Sequence, residues 1–314
     1  MSTFNRRTVL QSGAAFCLAA GLPGLALAES RPATSFLAIG DWGRQGARDQ
    51  TAVARAMGRA AEELGSRFVL SVGDNFYPAG VQSVDDPNWK ESFEDVYTAA
   101  SLQTPWYAAL GNHDYRGKPK AQIRYSARSK RWNMPNRYYR VDSADLPADL
   151  DVFVLDTTPM ADDAGETLMR LASWGRLSTP KPSRQLSWLD AQLSQSRATW
   201  KVVVGHHPIH SGGRHGGSAV LAQDVEPLLE KHGVQVYICG HDHSLQHIRA
   251  GGTHHICSGS GASAGDVSHI DGTLFAAARP GFATFTLQAG AMRLGFRGAD
   301  GATLYEATIG QHKA

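Results

Sequence analysis

Five short apolar runs, each ending abruptly in glycine and then a polar, ligand-type side chain, constrain this chain more than any other feature. They close as Gly40-Asp41, Gly73-Asp74, Gly111-Asn112-His113, Gly205-His206 and Gly240-His241-Asp242-His243. A short apolar run bounded by turn residues reads as a buried strand. In open α/β sheets, ligands bind in the crevice beyond the carboxyl ends of such strands. Glycine ahead of each polar residue predicts a tight turn and a close backbone approach to an ion or a phosphate.

The stretches between these runs define the fold class. Phe36 to Ile39 is the first strand, and Val53, Met57, Ala60 and Leu64 then recur at helical spacing, with Asp49 as N-cap and Gly65 as the stop. Phe68 to Val72 completes a βαβ unit. Pro105 to Leu110, Val152 to Leu155, Val202 to Val204 and Val234 to Cys239 are further buried runs. A helix through Leu186, Leu189 and Leu193 is capped by Ser183, and a helix through Leu221, Val225 and Leu228 is kinked at Pro227 and stops at Gly233. His254 to Cys257, Phe282 to Leu287, Met292 to Phe296 and Leu304 to Ile309 predict antiparallel strands at the C-terminal end. Residues 157–183 predict a long exposed loop. The expected fold is α/β: a two-sheet β-sandwich flanked by helices, with βαβ units early and antiparallel strands late.

Residues 1–28 read as a targeting segment that is absent from the mature domain. Asn5-Arg6-Arg7-Thr8-Val9-Leu10 matches a twin-arginine pattern, a Gly- and Ala-rich apolar stretch follows, and Ala26-Leu27-Ala28 fits a cleavage site. Gly13, Gly21, Pro23 and Gly24 make the same stretch a poor transmembrane anchor. The expectation is an exported protein, periplasmic or secreted, with residues 29–314 as one domain and no membrane attachment after cleavage. The 31 Lys and Arg exceed the 29 Asp and Glu by two, and Arg6 and Arg7 in the acid-free leader account for both. The remaining chain carries no net charge and gives no argument for nucleic-acid binding. Cys239 and Cys257 lie in apolar runs and are expected as buried free thiols.

The strand ends, with Tyr77 three residues after Asp74, supply two Asp, one Asn, one Tyr and three His. This mixed O/N set is too oxygen-rich for a structural zinc site and is large enough for two adjacent hard or borderline ions. A phenol at position 77 suits Fe(III) better than Zn(II) or Mg(II).

The ordered motifs Gly40-Asp41-Trp42-Gly43, Gly73-Asp74-Asn75-Phe76-Tyr77, Gly111-Asn112-His113-Asp114, Gly205-His206-His207 and Gly240-His241-Asp242-His243 resemble those of the purple acid phosphatases. The similarity is greatest to the small tartrate-resistant type within the calcineurin-like metallophosphatases. It also covers Gln185-Leu186-Ser187-Trp188-Leu189 and Ser258-Gly259-Ser260-Gly261, and it fades over 157–183 and 262–281. The resemblance implies a metallophosphatase-type sandwich and an acid phosphatase that hydrolyses phosphate monoesters, phosphopeptides included, with metal-activated hydroxide. It implies Fe(III) held by Asp41, Tyr77 and His243, a divalent Fe, Zn or Mn held by Asn112, His206 and His241, and Asp74 bridging the two. His113 and His215 match the family's phosphate-binding or general-acid histidines. Other calcineurin-like enzymes have Asp-x-His where this chain has Asp41-Trp42-Gly43, so Tyr77 stands in for the missing histidine. His207, where the mammalian type has tyrosine, is not assigned as a ligand.

The nine basic residues and no acid of 115–141 fit either a basic path that draws phosphorylated substrates in or a solvated face. Two other functions stay open at this level. One is a phosphodiesterase or nucleotidase with two divalent ions on the same fold. The other is a non-hydrolytic iron protein that binds phosphate or does redox chemistry. The partner expected is a small phosphorylated substrate, and the chain is expected to be a monomer.

Overall fold

The computed structural model describes residues 33–142, 144, 146–161, 181–288 and 290–311. The expected leader (1–28) and most of the expected 157–183 loop lie outside the described residues. Pro32–Ala314 is a single compact unit. Among the described residues, no helix is long and apolar enough to cross a membrane.

Two seven-stranded mixed sheets form the body. In the first, β1 (Thr34–Ile39), β2 (Ser66–Ser71), β3 (Trp106–Ala108) and β4 (Trp132–Asn133) run parallel. In the second, the antiparallel edge strand β5 (Tyr139–Arg140) is followed by the parallel strands β6 (Leu150–Val154), β7 (Trp200–Val204) and β8 (Val236–Cys239). This sheet continues through β10 (Thr253–Ser258), which is parallel to β8, then β9 (Leu245–Ala250) and β11 (Thr273–Ala277), which pair antiparallel. The first sheet is completed beside β1 by the meander β12 (Gly281–Gln288), β13 (Ala291–Gly298) and β14 (Thr303–Ile309).

Period-two patterning explains why the sheets stack. Val152 and Val154, Val202 and Val204, Val236 and Ile238, and Ile256 share one core cluster with Phe36, Phe68 and Phe285 of the first sheet. The alternate residues Phe153, Val203, Tyr237, Cys239 and Cys257 form a second cluster with helical Leu189, Leu193, Leu221 and Leu229. The central strands β6, β7, β8 and β10 therefore bury both faces, one against the opposite sheet and one under helices. Within the first sheet, Phe36 lies opposite Phe285 on one neighbour and Phe68 on the other, with ring centroids 4.7 and 4.8 Å apart and the rings stacked nearly parallel.

The helices refine the expectations. α1 (Gln50–Leu64) starts after Asp49 and ends on left-handed Gly65, as the spacing predicts, but the Asp49 side chain makes no capping hydrogen bond. The short α2 (Asn112–Tyr115) and α3 (Pro119–Tyr125) follow β3. α4 (Pro182–Gln195) begins after Lys181, not at Ser183, because Pro182 presets helical φ and needs no capped N–H, which puts Ser183 inside the first turn. The kinked helix is two helices, α5 (Ala219–Asp224) and α6 (Glu226–Lys231), broken at Val225 with Pro227 opening the second. His254 to Cys257 is only half antiparallel, since β10 pairs parallel with β8 on its other side. Cys239 and Cys257 are buried and free, as expected.

Replacing Phe36 with Ala removes both stacked contacts at once and should destabilise the protein by about 3–5 kcal/mol. The check is a lower denaturant midpoint at unchanged m-value.

Candidate metal centre

The ends of the parallel strands of both sheets meet at one edge. Asp41 follows β1, Asp74 and Tyr77 follow β2, and Asn112 follows β3. His206 follows β7, and His241 and His243 follow β8. Among the described residues five non-glycine positions have positive φ, and three of them are Asp41 (61°), Asp74 (50°) and His241 (67°). The left-handed turn is therefore carried by the donor residues themselves, and Asp and His are among the side chains that tolerate it. Of the glycines in front of them, Gly73 makes the expected turn at φ 95°, and the set serves a second purpose as well. A Cβ on Gly73 would lie 2.6 Å from the His206 ring, and one on Gly111 would collide with the Asp74 carboxylate. The glycines let neighbouring strand ends pack against each other.

The seven donors fall into two groups that share one carboxylate. The Tyr77 hydroxyl lies 2.9 Å from Asp41 Oδ1, 2.7 Å from Asp74 Oδ2 and 3.2 Å from His243 Nε2. His206 Nε2 and His241 Nδ1 lie 3.0 and 3.1 Å from Asn112 Oδ1, and His206 Nε2 is 3.5 Å from the other oxygen of Asp74. The second ring nitrogen of His206 is bonded to the Val72 carbonyl at 3.0 Å, which turns Nε2 toward the donors. Ser263 does the same for His243, its Oγ lying 3.3 Å from Nδ1.

A buried polar chain fixes the three loops of the first sheet. Trp42 Nε1 donates to Ser71 Oγ (2.8 Å), and Ser71 donates to Asn75 Oδ1 (2.5 Å). Asn75 Nδ2 donates to the Ala109 carbonyl (2.8 Å), and the Asn75 and Gly111 amides both donate to Asp114. Buried polar groups stay buried only when satisfied in this way. On the second sheet, Asp242 accepts from the Ser211 hydroxyl and from the His215 amide, which holds the loop that brings His215 beside His241, with ring centroids 4.4 Å apart. Asp114, Asp242 and Asn75 were not singled out in the sequence, although each lies inside a motif.

The electrostatics fit bound cations. Burial alone would raise the Asp74 carboxyl, but the imidazoles of His206 and His113 and the Tyr77 hydrogen bond bring it down to about 2. Burial, with the Asp41 and Asp74 carboxylates, raises the Tyr77 phenol well above its ordinary range, so a phenolate there needs a strong positive charge beside it. Two buried carboxylates, a phenol, an amide and three imidazoles converging on one edge suit two metal ions.

A cleft of about 380 Å³ opens over Asp74, Tyr77, Asn112, His241 and His243, walled by His113, His215, Arg44 and Arg116. His113 Nδ1 is 2.7 Å from the Pro78 carbonyl, and its Nε2 is 3.9 Å from Asp74 Oδ2. The Arg44 guanidinium stacks 3.6 Å over the Tyr77 ring. Of the basic stretch, Arg116 reaches the cleft. Arg131, Arg128 and Arg140 instead pair with Glu94, Asp85 and Asp151. His207 is buried beside His241, its Nδ1 3.0 Å from Thr157 Oγ1.

Residues 34–245 match the calcineurin-like phosphoesterase family. Over 250 residues the chain is 40% identical to human tartrate-resistant acid phosphatase type 5, covering 76% of each protein. It is 43% identical over 234 residues to purple acid phosphatase 7 of Arabidopsis thaliana, covering 73% of this chain and 70% of that one. The chain belongs to the purple acid phosphatases. Among solved structures of the same fold are the anchor protein GAP50 of the Plasmodium inner membrane complex and a lupin seed purple acid phosphatase. The first has a TM-score of 0.76 at 26% identity and 90% coverage of both chains. The second has a TM-score of 0.66 at 15% identity, covering 89% of this chain and 54% of that one. Because the fold also hosts an anchor protein, the donor set, not the fold, carries the argument for catalysis.

α2, which carries Asn112 and His113, is held from below. Tyr115 donates to Asp156 in a short hydrogen bond, and Arg137 donates to the Tyr115 oxygen at 2.7 Å. Burial pushes Asp156 from its ordinary 3.8 up to about 7. Between those values the folded state holds a proton that the unfolded chain has lost, so this group's contribution to stability falls as pH rises through the window. Asp156→Asn should flatten that fall by about 1.4 kcal/mol per pH unit, read from urea midpoints of wild type and variant from pH 4 to 7.

Proposed function

We propose that this purple acid phosphatase hydrolyses small phosphate monoesters at a binuclear Fe(III)–M(II) centre. In this reading Asp41, Tyr77 and His243 hold the ferric ion, Asn112, His206 and His241 hold a divalent Fe, Zn or Mn ion, and Asp74 is common to both. One observation carries it: Asp74 presents one oxygen to the Tyr77 group and the other to the His206 group. Bound ions would supply Lewis acidity and an activated hydroxide for in-line attack on phosphorus.

The chain's own residues supply positioning and proton handling. Arg44 and Arg116 place positive charge on the walls of the cleft, where a phosphate dianion is favoured. With its Nδ1 proton bonded to the Pro78 carbonyl, His113 can present Nε2 to a phosphoryl or leaving-group oxygen. Burial lowers its pKa, and a bound dianion would raise it again and let it act as a general acid. His215 stands across the cleft beside His241 and can serve the same leaving group.

Metal-loaded wild type should show a violet phenolate-to-iron absorption and acid phosphatase turnover, and Tyr77→Phe should lose the violet band. A colourless wild type that is equally active would replace this reading with the two-divalent-ion phosphoesterase. Asn112→Ala should reduce turnover by at least 100-fold, whereas a one-iron redox protein would keep its function in that variant.

We also propose export by the twin-arginine route, a reading supported by Arg6-Arg7 and Ala26-Leu27-Ala28. The mature protein should then begin at Glu29, and intact mass of the exported chain decides this: a mass that includes residues 1–28 overturns it.

A further inference from the structure

Beneath the outer helices of the second sheet, three side chains from different elements converge. His210 comes from the loop between β7 and α5, Glu226 opens α6, and His255 projects from the middle of β10. His210 Nε2 lies 2.6 Å from Glu226 Oε1, and His255 Nε2 lies 3.7 Å from the same oxygen. The two imidazole rings are 4.8 Å apart at their centroids and nearly perpendicular. All three donor atoms lie within 4.8 Å of one another.

An ion pair accounts for only part of this cluster. His210 and Glu226 satisfy each other, but His255, whose side chain is 1% exposed, has no side-chain partner within hydrogen-bond distance among the described residues, the Ala250 backbone being the one polar group facing its ring besides this cluster. A buried ring nitrogen left unsatisfied is costly, and such an atom in a native fold calls for a missing partner. Its Nε2 faces the Glu226 oxygen from beyond hydrogen-bond reach, a spacing that suits a shared ion better than a direct bond.

We propose that His210, Glu226 and His255 form a mononuclear site for a divalent transition-metal ion of the zinc class, separate from the binuclear centre. Two imidazoles and one carboxylate are a zinc-type donor set, and they leave the fourth tetrahedral position to water. Donors around a tetrahedral zinc stand about 3.3 Å apart, as follows from bond lengths of about 2.0–2.1 Å. The gaps of 2.6 and 3.7 Å lie on either side of that value and the third is no more than 4.8 Å, so the three donors close on an ion with side-chain shifts of under about 1 Å each. Burial, aided by the neighbouring His210, holds the His255 imidazole down to about 3, which keeps it in the neutral form that ligates. The His210 side chain is 28% exposed and gives the ion a way in. At left-handed Gly251 in the β9–β10 turn, a Cβ would collide with Glu230 Oε1 and press to 3.2 Å of Glu226 Oε1, so the glycine leaves room for both carboxylates at the edge of the site.

The loop carrying His210 begins at His206 and includes His215. A third ion would clamp that loop to α6 and β10, so its role is to hold two residues of the phosphatase cleft in place. The site uses none of the seven candidate ligands of the binuclear centre, and its test is independent of that reading.

Holoprotein already loaded at the binuclear centre is titrated with Zn²⁺ alone, with metal per chain measured by mass spectrometry and binding by calorimetry. Wild type should take up one further equivalent and melt at a higher temperature with it. His210→Gln and Glu226→Gln should each weaken that equivalent by 10-fold or more while keeping the wild-type melting temperature in the absence of added Zn²⁺. No additional uptake by wild type, or equal uptake by wild type and both folded variants, overturns the site.

Discussion

The carboxylate of Asp74 is the point on which the rest of the molecule depends. It is buried, it accepts from the Tyr77 hydroxyl and the His113 amide, and it faces His206 with its remaining reach. A buried carboxylate stays ionised only where charge and hydrogen bonds outweigh its desolvation. The fold supplies them by bringing strand ends from two sheets to one edge. Neither sheet alone supplies a full donor group: Asp41 and Tyr77 need His243 from the second sheet, and Asn112 from the first needs His206 and His241. The packing of one sheet on the other is therefore also what assembles the centre.

That assembly is held by groups that touch no candidate ion position. Trp42, Ser71, Asn75 and Asp114 form a continuous polar chain under the first-sheet loops, and Asp242 performs the equivalent task for the loop bearing His215. Such networks are valuable when complete and costly when broken, because a low dielectric strengthens each bond and penalises each orphan. The rigidity they confer is what keeps donors positioned within fractions of an ångström.

The strand ends were legible in the sequence because burial on both faces forces unbroken apolar runs, and the glycine-polar junctions mark where those runs stop. All nine candidate site residues follow from that pattern together with the family resemblance, and the structure brings them to one edge, seven lining the cleft and Asp41 and His206 buried beneath it. β9 and β11 were not legible. β9 buries Gln246 on one face and His247 on the other, where a strand pattern would show apolar residues, and β11 is only half-buried. Nor did the sequence show that most arginines of the basic stretch are tied to acids elsewhere: Glu94 precedes Arg131 by 37 residues, a pairing that local patterning does not reveal. The convergence of His210, Glu226 and His255 was equally invisible, because single histidines in unrelated elements carry no spacing signal.

The left-handed backbone at Asp41, Asp74 and His241 governs how the centre can be probed. Alanine at these positions would remove a donor and also place a methyl-bearing residue in a conformation it disfavours, so lost function would mix chemistry with backbone strain. Asparagine adopts the same conformation readily and nearly matches aspartate in shape. At Asp41 and Asp74 it subtracts charge and little else. Variants of this edge are therefore best chosen by backbone geometry first and side-chain chemistry second, the reverse of the order that applies at Asn112, where the chain is already helical.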